Sequence, residues 1–223
     1  MLTKEQRTLI KSLHKKSGRE EHKLCLVEGQ NALDMAASMV EETFTEADTL
    51  DFNKLVTLKA DKGIAGIARV PSFTLEQVDE RKLIVILDGI QDPGNMGTLF
   101  RLAFAFEASI IAIGGADPLS PKVIRSATGT MFRVPWVRLG DGDALELSGR
   151  SIYRLEKSAD SIPLGTINHA EKPSALVVGS EGNGIESNIK GMSVHIPHNP
   201  ALDSLNAATA GAIALWELSK TTS

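Results

Sequence analysis

Leu83-Ile-Val-Ile-Leu87 runs without a break into Asp88-Gly-Ile-Gln-Asp-Pro-Gly-Asn-Met-Gly-Thr-Leu-Phe-Arg101. Five consecutive apolar residues predict a strand covered on both faces, because a half-exposed strand would alternate. The Gly- and Asn-rich stretch behind it predicts a loop, and Asn95 to Glu107 resumes with helical character. Ser109 to Ile113 and Ala175-Leu-Val-Val178 are two more apolar strands, and Leu205 to Ser219 is an alanine-rich helix. Strands alternating with helices predict an α/β domain with a mostly parallel sheet.

Upstream the pattern is looser. Residues 4–16 carry Leu9, Ile10 and Leu13 at helical spacing, and Lys23 to Gly29 reads as a short buried strand ending at a glycine turn. Asn31 to Val40 reads as a second helix with Asn31 as its N-cap, followed by strands at Leu55 to Leu58 and Ile64 to Val70. The polar, proline-led stretch Pro71 to Lys82 marks a boundary, which sets a small α/β domain at 1–78 before the larger one at 79–223.

Composition narrows the classes. No run approaches the roughly 18 apolar residues of a membrane span, and the first twenty residues lack an apolar signal core, so a cytoplasmic address is expected. Cys25 is the one cysteine of the chain, which excludes an intrachain disulfide. The net charge of −4 does not mark a nucleic-acid binder, but its distribution is uneven. Residues 1–30 hold seven basic side chains against four acidic, and residues 31–80 hold four against ten. That basic excess suits either a solvated helix face or an RNA contact.

Three loops behind the strands concentrate Gly, Asn, Ser and acidic residues: Asp88 to Arg101, Gly179-Ser-Glu-Gly-Asn-Gly-Ile185, and Ile196-Pro-His-Asn-Pro-Ala-Leu-Asp-Ser-Leu-Asn206. Ligands of open α/β sheets bind just outside the carboxyl ends of the strands, so these are the positions for a site. The loops match neither the P-loop nor the dinucleotide glycine pattern, since Gly179, Gly182 and Gly184 are spaced G-x-x-G-x-G. His195 and His198 lack a clear third ligand, so no metal is expected. No G-x-S-x-G elbow supports a serine nucleophile.

In this order, over residues 83–219, the three loops resemble the SpoU family of RNA ribose 2′-O-methyltransferases. Asn95, Gly97 and Arg101 have the N-x-G-x-x-x-R spacing, Ser120 to Arg133 is similar to the family's intermediate stretch, and the other two loops match Gly-x-Glu-Gly-x-Gly and Ile-Pro…Ser-Leu-Asn. Ala207-Ala208 stand where many relatives have Val-Ser. Arg19 to Gly29 and the segment from Gly63 to Val70 resemble the family's substrate-binding domain, related to small ribosomal proteins that bind kinked RNA.

The resemblance implies a C-terminal trefoil knot, S-adenosylmethionine as methyl donor, structured RNA as substrate with rRNA favoured over tRNA, and a homodimer formed through the Ala-rich C-terminal helix. It implies a donor pocket from Gly179, Ile196 and Leu205, with Gly182 in the same glycine loop, and a polar framework from Asn95, Glu181, Ser204 and Asn206. For Asn and Ser the plainer reading is a loop-stabilising hydrogen bond, and for the glycines a turn. Arg101, set in the apolar stretch Leu99 to Phe104, is expected to grip an RNA phosphate and assist loss of the hydroxyl proton. A tRNA modifier and a non-catalytic RNA-binding protein on the same fold are the alternatives.

Overall fold

The computed structural model describes residues 1–57, 63–140, 145–167 and 172–220. They fall into two compact units: Met1–Ser72 together with Asp117–Arg133, and Phe73–Ala116 together with Val134–Ser223.

In the first unit, α1 (Lys4–Ser12) starts at a capping box, Thr3 and Gln6 each bonding the other's backbone. Next come α2 (Lys16–His22), β1 (Leu24–Glu28), α3 (Gln30–Ala36), β2 (Val40–Thr45), α4 (Phe52–Leu55) and β3 (Ile64–Arg69). The three strands form an antiparallel sheet in the order β1-β3-β2 over a core that includes Ile10, Leu13, Leu26, Phe44 and Phe52.

Two expectations fail here. The second helix stops at Ala36, because Ala37 turns to φ 44°, and Val40 opens a strand instead. It follows Gly29 with no side-chain cap, so Asn31 does not cap it. The strand expected at Leu55 to Leu58 is a helical turn through Leu55, with Leu58 outside the described residues.

The second unit begins with α5 (Leu75–Asp79), β4 (Leu83–Asp88), α6 (Pro93–Ala105) and β5 (Ser109–Ile113). The chain then contributes α7 (Pro121–Ser126) to the first unit. There α7 packs on β1, the buried Arg19 forms an ion pair with the partly buried Asp117, and Arg125 donates to the Thr57 carbonyl at 3.2 Å. Gly129, at φ +78°, lets this segment approach the Ala32 carbonyl, where a Cβ would stand 2.7 Å away. Sequence placed residues 117–133 in the larger domain, and they group with the smaller unit.

Back in the second unit, β6 (Trp136–Leu139), β7 (Ser151–Leu155), β8 (Ile162–Pro163), β9 (Ser174–Gly179), β10 (Met192–His195) and α8 (Ala207–Ser219) complete the fold. The seven strands run β6-β5-β4-β9-β7-β10-β8 with every described pairing parallel. This is the α/β class with the parallel sheet that the apolar runs predict. Strand β4 is buried throughout and lies between β5 and β9. One sheet face carries Ile84, Ile86, Ile111, Ala175 and Val177 in a cluster joined by Ile185 and Ile189. On the other, α8 packs against α6 and β9. Among the described residues no helix is long and apolar enough to cross a membrane.

Gly211 sets the separation of α6 and α8. A Cβ there would lie 2.5 Å from Leu99 Cδ2, in a side chain that is itself fully buried. Gly211→Val is expected to destabilise the protein by about 1–3 kcal/mol through overpacking, a cost that outweighs the small gain in helix propensity over glycine. Urea unfolding measures it, and an unchanged or raised midpoint would show that this helix contact does not limit the packing.

Candidate functional site

The loop after β4 ends where Asp92 caps α6, its Oδ1 accepting from the Asn95 amide at 2.8 Å, with Pro93 in the first turn. Asn95 is buried by this arrangement and its side chain points away from the helix axis toward the neighbouring loops. The loop before α8 ends in the same way. Asn206 caps that helix, its Oδ1 accepting from the Thr209 amide at 3.1 Å, which leaves its Nδ2 free to donate elsewhere. Between them stands the loop after β9, closed by reciprocal backbone bonds between Ser180 and Gly184 at 3.0 Å each.

Three side chains from the three loops meet. Asn95 Nδ2 donates to Glu181 Oε1 at 2.7 Å, and Asn206 Nδ2 donates to the same oxygen at 2.7 Å and to Asn95 Oδ1 at 2.9 Å. The carboxylate also lies by the starts of two helices, where unpaired N–H groups and the helix dipole favour negative charge. Beside this knot of bonds opens a cleft of about 260 Å³ lined by Ile90, Gln91, Asp92, Asn95, Ser180, Glu181, Gly182, Asn183 and Ala207. Its volume is near the lower end of small-molecule sites, and its polar groups converge from separate elements as such sites require.

The remaining candidates separate. Gly182 lines the cleft with open space where a Cβ would be. Gly179 does not face it: a Cβ there would stand 2.2 Å from the Gly184 carbonyl carbon and 2.5 Å from the Ile185 nitrogen. Glycine is therefore demanded by the loop's own backbone. Ile196 and Leu205 are half-buried and do not line this cleft, and Ser204 is exposed with no hydrogen bond to a described residue. Arg101 corrects the expectation of a charge sunk in apolar surroundings. It stands on the exposed face of α6, with no ion pair or side-chain hydrogen bond to a described residue.

Sequence reasoning passed over Asp88. Its carboxylate is 4% exposed, and Oδ2 accepts from the backbone N–H of Glu186 at 2.9 Å and of Ser187 at 2.8 Å. An acid closing a wholly apolar strand was the available signal, since such a group must be paired. Elsewhere, His195 Nδ1 bonds Ser161 Oγ at 3.0 Å and His198 Nδ1 bonds the Ile196 carbonyl at 2.7 Å. Among the described residues no group of three His, Cys, Asp or Glu could hold a metal. Burial pushes the Cys25 thiol up to about 12, which excludes it as a nucleophile.

Comparison with known proteins follows the same residues. A family model described as the SpoU rRNA Methylase family matches residues 82–216. The 23S rRNA (guanosine(2553)-2′-O)-methyltransferase RlmP of Bacillus subtilis is 28% identical over 93% of this chain and 93% of its own. A 23S rRNA (uridine(2479)-2′-O)-methyltransferase of Streptomyces viridochromogenes is 27% identical over 86% of this chain and 74% of its own. Among solved structures, an AdoMet-bound rRNA methyltransferase from Sinorhizobium meliloti superposes with a TM-score of 0.84 at 25% identity, covering 98% of this chain and 95% of that one.

The Gly179 contact generates a test that needs no ligand. Gly179→Ala forces the 180–184 turn to open, because neither the Gly184 carbonyl nor the Ile185 amide can retreat without breaking the paired backbone bonds. Amide hydrogen exchange across 180–187 is expected to accelerate by about tenfold or more while β1 to β3 stay protected as before. Unchanged exchange in the loop would show that the close approach is not what holds it.

Proposed function

The chain belongs to the SpoU rRNA methylase family, and from that membership we propose that it transfers the methyl group of S-adenosylmethionine to a ribose 2′-hydroxyl of structured RNA. The observation that carries the reading is the Asn95–Glu181–Asn206 junction, which ties all three family loops into one cleft at the carboxyl ends of β4 and β9. Methyl transfer needs two substrates held in line more than it needs a strong acid or base. The ribose oxygen forms the new bond to the methyl carbon as the carbon–sulfur bond breaks. The sulfonium leaves as a neutral thioether, and the hydroxyl proton passes to water or a phosphate oxygen.

In this reading the loops fit a donor through their geometry. Glu181 acts as an anchor: its Oε1 already accepts two amide hydrogens, a poor state for a base. Gly182 leaves room at the cleft wall, and Gly179 holds the turn that presents Glu181. Ile196 and Leu205, outside the cleft lining, would offer main-chain groups to a donor that extends beyond it, with Asn95, Glu181, Ser204 and Asn206 as the polar framework around it. Arg101 is a permanently charged fork on an exposed helix face, suited to a phosphate that arrives with the substrate. The basic first thirty residues support RNA binding by the N-terminal region, and rRNA is the favoured substrate.

Two further parts of the reading concern assembly. Phe104, Ile213 and Trp216 are 44%, 41% and 58% exposed on α6 and α8, which supports an isologous homodimer through these helices. Strand β10 lies outside β7, and the chain then returns to pack α8 against β9 and α6, a path that suits a threaded C-terminus.

Mass-spectrometric mapping of ribose methyl groups, on rRNA and tRNA incubated with enzyme and donor, tests the reaction. No donor uptake by calorimetry together with no methyl transfer to either RNA would overturn it in favour of a non-catalytic protein on a methyltransferase fold. Arg101→Lys separates the roles of its exposed fork. Single-turnover methylation is expected to fall roughly a hundredfold, in line with lost substrate positioning, with donor affinity and melting temperature close to wild type. Wild-type turnover in the lysine variant would remove Arg101 from the site.

A further inference from the structure

The loop from Ser180 to Gly191 does two things on two sides of the sheet. Its first half carries Glu181 to Asn95 and Asn206. Its second half lies over the opposite face, where Ile185 and Ile189 join the cluster built on Ile84, Ile86 and Val177. Strand register explains how that face reaches the loop. Asp88 pairs with Gly179 and Arg154 pairs with Val177, so Asp88 and Arg154 project on the same side as Val177, from the strands flanking β9.

Both grip the loop by its backbone. Asp88 Oδ2 takes the N–H groups of Glu186 and Ser187. Arg154 Nη1 donates to the Ile189 carbonyl at 2.7 Å and, more weakly, to that of Ser187 at 3.4 Å. The other edge of the guanidinium is fixed by Glu156 in a two-point pair, Nε to Oε1 at 2.8 Å and Nη2 to Oε2 at 3.1 Å. Glu156 is oriented in turn by Ser193 Oγ at 2.6 Å. Neither Asp88 nor Arg154 lines the cleft that holds Glu181.

We propose that Asp88 and Arg154 are positioning residues for the methyl-transfer site, acting from the far face of the sheet through the loop that carries Glu181. The proposal rests on the reading of that loop as part of the donor site. Pinning residues 186–189 fixes the exit of the 180–184 turn, and with it the direction in which Glu181 leaves the backbone. Burying the Asp88 carboxylate for packing alone would be costly, and the half-buried Arg154 is likewise committed to backbone groups. Here each supplies the partner that a backbone group of an irregular segment needs over a buried sheet. Charge supports the arrangement: the bond to Glu156 strengthens the guanidinium's hold on its proton and Asp88 adds to it, while Arg154 holds the Glu156 carboxyl below the usual range.

A double-mutant cycle tests this on the full chain, with S-adenosylmethionine affinity measured by calorimetry and melting temperature measured beside it. Arg154→Lys keeps the charge and loses the fork, and is expected to weaken donor binding about tenfold, the worth of one charge-assisted hydrogen bond. In a Glu181→Gln background the same change should weaken it less than twofold, because the group through which Arg154 acts is already impaired. Asp88→Asn, a smaller change, runs the same cycle where the lysine variant folds poorly. Equal losses in both backgrounds, or a lowered melting temperature with donor affinity intact, would overturn the proposal and leave the pair a structural one. Wild-type donor affinity and turnover in Glu181→Gln alone would instead overturn the site reading, and the proposal with it.

Discussion

Oε1 of Glu181 receives one amide hydrogen from Asn95 and one from Asn206, each across 2.7 Å, and these bonds require three separate parts of the fold to be in register. Asn95 is delivered by α6, which begins where Asp92 caps it. Asn206 is delivered by α8, which it caps with its own Oδ1. Glu181 is delivered by a turn that closes only because Gly179 has no side chain. The parallel sheet makes the meeting possible, since it brings the carboxyl ends of β4 and β9 side by side, Asp88 opposite Gly179. The acid is also suited to its place: the starts of two helices surround it with partial positive charge.

The architecture was legible where burial is complete. Leu83 to Asp88, Ser109 to Ile113 and Ser174 to Gly179 are covered on both faces or nearly so, and their unbroken apolar runs show it. Legibility failed where strands are short or half-exposed. Val40 to Thr45 mixes Glu and Thr with Phe44 in a bulged strand, and continued too easily from the preceding helix. Strands β7, β10 and β8 hold Arg, Ser, His and Pro, because they occupy the less covered side of the sheet. The grouping of Asp117 to Arg133 with the first unit rests on long-range contacts such as the ion pair of Arg19 with Asp117, 98 residues apart, which no local pattern encodes.

The site divides along similar lines. Asn95, Glu181 and Asn206 come from motifs whose members were expected together, and the structure brings them within hydrogen-bond distance. Gly179 was singled out for the donor pocket, whereas what demands glycine there in the structure is the turn, where Gly184 occupies the space. Arg101 looked sunk because its sequence neighbours are apolar. Helical geometry instead places it on an exposed face shared with Phe104, while Leu99, Phe100 and Ala103 take the buried one.

Asp88 and Arg154 were passed over for a different reason. Patterns that announce chemistry are sought among residues that can reach a ligand, whereas these two face away from the cleft and bond to main-chain groups. Their presence answers a problem that the loop itself creates. An irregular segment laid over a buried sheet face must satisfy its own N–H and C=O groups, and the strands beneath it have spent theirs on one another. Ile185 and Ile189, partly buried, rest that segment against the apolar cluster. A carboxylate that takes two N–H groups and a guanidinium that gives to two carbonyls supply the loop's inward-facing main-chain groups with partners. The contacts that hold the loop on one face of the sheet thus lie in the same short segment as the acidic residue that meets Asn95 and Asn206.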